Sequence, residues 1–238
     1  MKRLSFILVL VFVLTLVSCG DGDGNVSGGS GDNGGGQGYR IASTATYRLY
    51  PTESTQPSTI KNHYDSNGFC TRTESFNPDG TLSSTSIYSY NDSRWRIRRE
   101  SNSVTGNTTV EFEYEFGENS VRIIGHYSGA GTINTLIEEH IYSGDRITQI
   151  NVYLENALYQ IDTYNYDSSG RLLSIRMDIN VGSSFPQTRI QTYTYDSDGR
   201  YKFYIATVDG NEFERVEYTY ERGNGYFGYP DPKGNVKR

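Results

Sequence analysis

The chain has 238 residues, 35% of them hydrophobic, and a formal net charge of −6. Loss of Lys2 and Arg3 with the leader described below takes that charge to −8, so we expect no binding to nucleic acid or to an anionic bilayer through charge. Tyrosine occurs 21 times, against 10 phenylalanines and one tryptophan, a composition that favours a half-wet sheet over a thick apolar core.

Residues 1–18 have the parts of a bacterial secretion signal. Two basic residues open the chain, an apolar run follows from residue 4 to 17, and Ser18 precedes Cys19. The run is shorter than the roughly 20 apolar residues of a spanning helix. Leu16-Val17-Ser18-Cys19 resembles the bacterial lipobox, which implies cleavage before Cys19 and its lipidation with diacylglycerol and palmitate. An ordinary secretion signal with an incidental cysteine is the alternative.

Residues 19–38 predict a flexible tether behind that lipid. From Gly20 to Gly38 the sequence is almost entirely Gly, Asp, Asn and Ser, and no aromatic residue occurs before Tyr39. Such a segment spans roughly 5–6 Å times the square root of its length. We therefore expect a folded domain held at a membrane of the bacterial cell envelope, the outer membrane, by the lipid on Cys19.

A repeat begins after Tyr39. Its two clearest copies read Tyr-Asn-Tyr-Asp-Ser-Ser-Gly-Arg-Leu at 164–172 and Tyr-Thr-Tyr-Asp-Ser-Asp-Gly-Arg-Tyr at 193–201. Alternate tyrosines lie on one face of a strand, because side chains alternate with period two. The Asp can bond its own backbone and the glycine takes a positive φ, so each copy predicts a strand followed by a tight turn. Looser copies begin near residues 64, 88, 140 and 218.

A second series of turn signals lies midway between the copies: Asn77–Gly80, Thr105–Asn107, Ser128–Gly131, Glu155–Asn156, Gly182–Ser183 and Asp209–Asn211. A reversal about every 12 residues predicts an all-β antiparallel meander of about 14 short strands over residues 39–225, followed by a tail over 226–238. Open twisted sheets rarely exceed about ten strands. We therefore expect the meander to curl into a barrel or half-closed shell with a hydrated, tyrosine-bearing lumen or concave face.

The copies resemble YD repeats, the units of Rhs-type and teneurin-type proteins and of small bacterial envelope lipoproteins of uncharacterised function. The resemblance covers residues 64 to about 225, and only two copies match closely. It implies strands spiralling into a hollow shell, and carbohydrate binding has been proposed for the repeat. The chain is too short to enclose another protein, and no toxin module follows the repeats.

The tyrosine pairs are candidate ligand-binding aromatics. One interpretation is a groove for sugar rings; the other is a set of ring contacts that stack one repeat on the next. The candidates are Tyr88, Tyr90, Tyr164, Tyr166, Tyr193, Tyr195, Tyr218 and Tyr220.

The residue types of common active sites form no recognisable motif. The sequence has no nucleophile elbow, phosphate loop or zincin motif, and we expect neither a metal nor a cofactor. Its histidines, His63, His126 and His140, lie on different predicted strands and are expected at or near the surface. Cys70 is the only thiol besides Cys19, so no disulfide forms within the mature chain, and we expect Cys70 to be packed and inert.

Glu111, Glu113 and Glu115 form a row on one face of a predicted strand. Two carboxylates about 5–9 Å apart are what a glycoside hydrolase requires, so a glycan-active hydrolase is one alternative. The preceding strand carries Arg94, Arg96 and Arg98 at the same spacing, and a hairpin that pairs three guanidiniums with three carboxylates explains both rows. We therefore expect no enzymatic activity.

A small outer-membrane barrel is the other alternative. The segment from Gln187 to Thr194 has no apolar stripe on either face, whereas a strand in lipid needs one. The sequence thus predicts an anchored envelope protein whose sheet is a binding or structural module. Its expected partners are the membrane, through Cys19, and a glycan or protein ligand.

Overall fold

The computed structural model describes residues 39–49, 56–104, 106–129, 135–182 and 186–222. The leader, Cys19, the tether and the tail predicted over 226–238 lie outside these residues. Every regular element of the described residues is a strand: β1 (Tyr39–Arg48), β2 (Ser58–Tyr64), β3 (Cys70–Phe76), β4 (Leu82–Tyr90), β5 (Arg96–Ser103), β6 (Gly106–Phe116), β7 (Ser120–Gly129), β8 (Thr135–Ser143), β9 (Arg146–Leu154), β10 (Ala157–Tyr166), β11 (Leu172–Ile179), β12 (Gln187–Tyr195), β13 (Tyr201–Val208) and β14 (Asn211–Arg222). Within them no helix has the length and apolar character needed to cross a membrane.

The fourteen strands form one closed antiparallel barrel in sequence order. Each strand pairs with its two neighbours along the chain, and β1 closes the barrel against β14 with Tyr39 opposite Arg222. The predicted all-β meander of about 14 strands is confirmed, and of the two predicted shapes the closed one is observed. We call the end that holds Tyr39 and Arg222 the near end. The opposite end, with the turns at 77–80 and 209–210, is the far end.

The Asp-x-x-Gly turns lie at the near end and form as the sequence predicts. The Asp167 carboxylate accepts hydrogen bonds from the backbone N–H groups of Ser169 and Arg171, each at 2.9 Å. Gly170 has a φ of 89° and donates its N–H to the Asp167 carbonyl at 3.0 Å. Asp196 organises the next copy in the same way, with Arg200 in place of Arg171. The carboxylate thus accepts hydrogen bonds from backbone N–H groups that have no backbone partner in a tight turn.

A β-bulge follows these turns, and a tyrosine hydroxyl completes it. In β11 the bulge leaves Leu173 unpaired, and β11 pairs with β12 only from Ser174 onward. The Leu172 carbonyl therefore has no partner in that ladder, and the Tyr195 hydroxyl donates to it at 2.8 Å. A buried carbonyl without a donor is unfavourable, so this bond ties each hairpin to its bulge. The same bond recurs from Tyr64 to Ile41, Tyr90 to Cys70, Tyr114 to Arg96, Tyr166 to Ile147 and Tyr220 to Tyr201, at 2.5–2.9 Å.

The arginine of each clear copy packs on the tyrosine of the next copy. The guanidinium carbon of Arg171 lies 5.4 Å from the ring centre of Tyr195, and that of Arg200 lies 5.5 Å from the ring centre of Tyr220. Cations over aromatic faces attract by roughly 0.5–1 kcal/mol at exposed sites. The Arg and the second Tyr of the motif therefore form one contact that links successive repeats at the near end.

Side chains fill the middle of the barrel. The inward-facing residues Val110, Val121, Ile175, Met177 and Gln191 are at most 2% exposed. A circular barrel of fourteen strands has room for water, but these side chains are closed off from it. The expected hydrated lumen was wrong for this middle section, although the interior does carry tyrosines.

Replacing Tyr195 with Phe removes the donor to the Leu172 carbonyl and keeps the ring. We expect the free energy of unfolding to fall by about 1 kcal/mol, because the Leu172 carbonyl loses the hydroxyl that donates to it. Urea unfolding followed by circular dichroism measures the change. Tyr47→Phe is the matched control, since the described residues give the Tyr47 hydroxyl no partner. An equal loss in both variants contradicts the role assigned to the bulge bond.

Candidate functional site

The candidate tyrosines all face the interior. The second tyrosine of each pair donates its hydroxyl hydrogen to a bulge carbonyl; these tyrosines are Tyr90, Tyr166, Tyr195 and Tyr220. The first lies deeper: Tyr193 is 7% exposed and donates to the Gln191 amide oxygen at 3.0 Å. The rings of Tyr193, Tyr195, Tyr201, Tyr204 and Tyr218 contact one another with centres 5.0–6.3 Å apart.

These contacts correspond to the ring-stacking interpretation of the pairs. The hydroxyls that hold bulges together are not open to a sugar, because they already donate to carbonyls. Binding of a ligand by the tyrosines stays a prediction.

Polar side chains occupy the interior positions two and four residues before Tyr142, Tyr164 and Tyr193, and the position four residues before Tyr218. They lie on the even-numbered strands β8, β10, β12 and β14, between odd-numbered strands whose inward residues are apolar, such as Ile150, Met177 and Ala206. We call this set the polar belt: Glu138, His140, Gln160, Asp162, Arg189, Gln191 and Glu214.

Most groups of the polar belt are paired with a neighbour. His140 Nε2 lies 3.1 Å from a Glu138 carboxylate oxygen. Gln160 donates its amide to Asp162 at 2.7 Å. Arg189 forms an ion pair with Glu214, two strands away, across the inward face of β13. Buried polar groups need such partners, and the belt supplies them from within itself.

Asp162 is the most perturbed carboxyl of the belt. Burial raises its pKa to about 7, the Gln160 hydrogen bond opposes the rise, and the charge of Glu138 adds to it. A desolvated carboxyl favours its neutral form, which is the reason for the direction. Glu138 and His140 lie two strands away, on β8.

The arginine row on β5 differs from the prediction. A bulge at Ile97 sets Arg96 and Arg99 inward, at 3% and 5% exposure, and leaves Arg98 outward. Arg94 lies before the strand, at a φ of 67°. The predicted pairing of three guanidiniums with three carboxylates was therefore wrong, because the bulge changes the alternation of faces within the row.

The glutamate row lies on the outer wall of β6. Glu115 pairs with Arg122 at 2.6 Å and Glu113 lies 3.5 Å from His126, both on β7. Only Glu111 has an arginine of β5, Arg98, opposite it in the ladder. The row is thus flanked by charged partners on a convex surface.

The histidines and the free cysteine separate into surface and core. His63 and His126 are partly exposed, as expected, but His140 is 3% exposed inside the barrel, so the expected surface position was wrong for it. No group of three metal-binding side chains occurs among the described residues. Cys70 is fully buried, which confirms the packed thiol, and burial raises the pKa of the thiol to about 11. Its inertness stays a prediction.

The polar belt was missed by the motif search, although its signal is present in the sequence. Steps of two residues back from Tyr166 pass Tyr164 and then reach Asp162 and Gln160, which must share the tyrosines' face. The same count from Tyr195 reaches Gln191 and Arg189. The pattern was available as soon as the tyrosine face was assigned to the interior.

The comparisons with known proteins add little. No protein-family model and no curated protein matches the chain. Among solved structures, the crystal structure of a porin-like protein from Bacteroides uniformis is similar, with 16% identity and a TM-score of 0.45 over 76% of this chain and 98% of that one. A similarity of this size carries no information about what this chain does.

Asp162 makes stability depend on pH. Its folded-state pKa, about 7, lies above the ordinary value of 3.8, so the folded state binds the proton more tightly. Its contribution is therefore favourable at low pH and is lost as the pH rises from about 4 to about 7, with a slope of at most about 1.4 kcal/mol per pH unit. We expect Asp162→Asn to remove this fall in the free energy of unfolding.

Urea unfolding at several pH values tests this expectation. Asp178→Asn is the control, because Asp178 is outward, and its hydrogen bonds with Arg176 hold its pKa below the usual range. That variant should retain the fall between about pH 4 and 7. A wild-type slope that survives unchanged in Asp162→Asn excludes Asp162 as its source.

Proposed function

We propose that the chain is a lipid-anchored, YD-like envelope protein whose barrel stands in water as a binding or structural module. The observation that carries the proposal is the charge on the outer wall. Ion pairs lie on that wall around much of the barrel: Arg72–Glu74, Arg98–Glu100, Arg122–Glu115, Arg176–Asp178 and Arg215–Glu217, at 2.6–3.4 Å.

Such a wall suits water better than lipid. A strand that faces lipid presents apolar side chains over a band about 25 Å tall, and one Arg at the bilayer midplane destabilises a barrel by about 2–4 kcal/mol. The outer wall of β6 instead carries Glu111, Glu113 and Glu115, and that of β11 carries Arg176 and Asp178. Because charged side chains lie on the outer wall of several strands, the total destabilisation in a bilayer would be large.

The position of Tyr39 supports the anchor geometry. Tyr39 begins β1 at the near end, so a tether over residues 19–38 joins the barrel there. A chain of that length and composition spans roughly 25 Å. The near end, with its Asp turns and arginine–tyrosine contacts, then faces the membrane, and the far end faces away from it.

A glycan or a protein is the proposed partner class, and the proposed role is non-enzymatic. Both follow from the polar outer wall and the repeat resemblance. The carboxylates that a hydrolase could use do not face a common cleft: the glutamate row lies on the convex wall, and Glu138 and Asp162 are at most 6% exposed inside it.

A barrel that crosses the outer membrane is the second candidate. The observation that favours it is the closure of an even number of antiparallel strands, an architecture that outer-membrane barrels share. It requires the charged outer wall to contact lipid or to be covered.

The Cys19→Ser variant separates the two candidates. We expect the wild-type full chain in the membrane fraction, released by detergent and labelled by palmitate. We expect Cys19→Ser in the soluble fraction, unlabelled, folded and monomeric without detergent, because the lipid is the only attachment. Fractionation, labelling and circular dichroism measure these outcomes.

Cys70→Ser is the matched control, since it removes the other thiol and should leave the protein in the membrane fraction. Cys19→Ser protein that stays in the membrane and needs detergent to remain folded supports the spanning barrel instead. Wild-type protein in the soluble fraction contradicts the anchor.

A further inference from the structure

Trp95 takes the place at the near end that an arginine has in the clear copies of the repeat. The Asn91 side chain accepts the backbone N–H of Trp95 at 2.8 Å, the bond that also closes the turns of those copies. The Trp95 ring then packs on Tyr114, two strands along, with ring centres 5.6 Å apart, as the arginines pack on the tyrosine of the next copy. The turn between β4 and β5 thus presents a large ring at the near end in place of a cation.

Two exposed apolar side chains accompany Trp95. Phe116, at the end of β6, is 42% exposed, and its ring centre lies 5.1 Å from that of Trp95. Ile97, the unpaired residue of the β5 bulge, is 39% exposed on the outer wall. Trp95 itself is half-buried. We call Trp95, Ile97 and Phe116 the apolar patch.

Two further large side chains are exposed at other points of the near end. Tyr39 begins β1 and is 53% exposed, and Leu173, in the bulge of β11, is 46% exposed. The apolar patch lies at β5 and β6, so the three positions are separated by four or five strands around the ring of fourteen. Contacts on three sides of one end can hold a barrel upright on a flat surface.

The charged groups around these side chains suit the polar layer of a bilayer surface. Asp92 and Arg94 lie in the β4–β5 turn and Glu118 in the β6–β7 turn, and all three are exposed. The Asp and Arg side chains of the clear copies pair within each turn, at 2.8 Å. Such groups stay hydrated when apolar neighbours enter only roughly 5–10 Å, to the boundary of headgroups and acyl chains. Contact of this kind requires no charge on the lipid.

The predicted tether determines which surface meets the near end. It joins the barrel at Tyr39 and spans roughly 25 Å, so the proposed anchor holds the bilayer surface within that distance of the near end. A short linker of this kind gives an effective concentration in the millimolar range. A patch of a few side chains does not attach the barrel by itself, but under this confinement it is held against the lipid. Leu82 and Val104, which are exposed at the far end, point away from that surface.

We propose that the near end rests on the bilayer to which the lipid on Cys19 attaches the protein, with the apolar patch inserted at the headgroup level. The inference rests on the proposed anchor, and it adds the orientation of the barrel and the residues that touch lipid. Tryptophan and tyrosine favour this level of a bilayer, because their rings combine an apolar body with a polar edge.

Tryptophan fluorescence on vesicles tests the contact, because Trp95 is the only tryptophan of the chain. The lipidated full chain is transferred from detergent onto preformed phosphatidylcholine vesicles, with or without bromine on the lipid acyl chains, and flotation shows that it is bound. We expect a shift of the Trp95 emission to shorter wavelength on plain vesicles and quenching on brominated ones. Phe116→Ser should weaken both effects, because it removes the neighbouring inserted ring.

The matched control moves the tryptophan to the far end. In a variant with Trp95→Phe and Leu82→Trp, the new ring replaces the exposed Leu82, and we expect no quenching. Wild-type protein that floats with the vesicles and is not quenched would overturn the contact and leave the anchor intact. Equal quenching at both ends would also overturn it, in favour of a barrel that spans the bilayer. Protein that does not float contradicts the anchor itself, and the inference with it.

Discussion

The hydrogen bond from a repeat tyrosine to a bulge carbonyl is the contact on which the barrel depends. A meander of fourteen strands must turn steadily to close, and a bulge at the start of β1, β3, β5, β9, β11 and β13 adds local twist where the turn is needed. Each bulge removes a carbonyl from the ladder, and a phenol reaching across from the next strand restores its partner. The second tyrosine of the motif thus compensates the distortion that closure requires.

That constraint also explains the composition of the interior. Tyrosine rings at the near end pack together with buried aliphatic residues such as Leu172 and Ile175 to form the core. The residues before the tyrosines share their face, and on β8, β10 and β12 they are polar, as is Glu214 on β14. Asp162 and Gln160, or Arg189 and Glu214, then satisfy one another, while Met177 and Ile150 on the odd-numbered strands separate the pairs. Apolar strands between polar pairs lower the local dielectric, which is the origin of the raised pKa of Asp162.

The sequence was sufficient for the strand count and the near-end turns, because both depend on local chemistry: Asp167 and Gly170 form their turn within five residues. The inward orientation of the Arg96 and Arg99 side chains could not be predicted from local chemistry. Simple alternation assigns Arg96 and Arg98 to one face, and a single unpaired residue, Ile97, separates them. The small cavity lined by Arg99 and Gly125 could be predicted still less, because it forms between residues that lie two strands apart. Properties that depend on register across several strands have no local signature.

The inside and the outside of the barrel use charge in opposite ways. Outside, arginines and carboxylates pair two residues apart on one strand, as Arg98 does with Glu100 and Arg176 with Asp178, and solvent screens the remaining charge. Inside, the guanidinium of Arg99 is shielded from solvent, and the low dielectric strengthens its interaction with the polar groups that line the same small cavity, Tyr127 and Glu138. The bulge at Ile97 produces both situations within four residues, because it directs Arg98 into water and Arg99 into the core. A distortion required for closure therefore also places a guanidinium in the core, beside a small cavity whose lining includes the carboxyl group of Glu138.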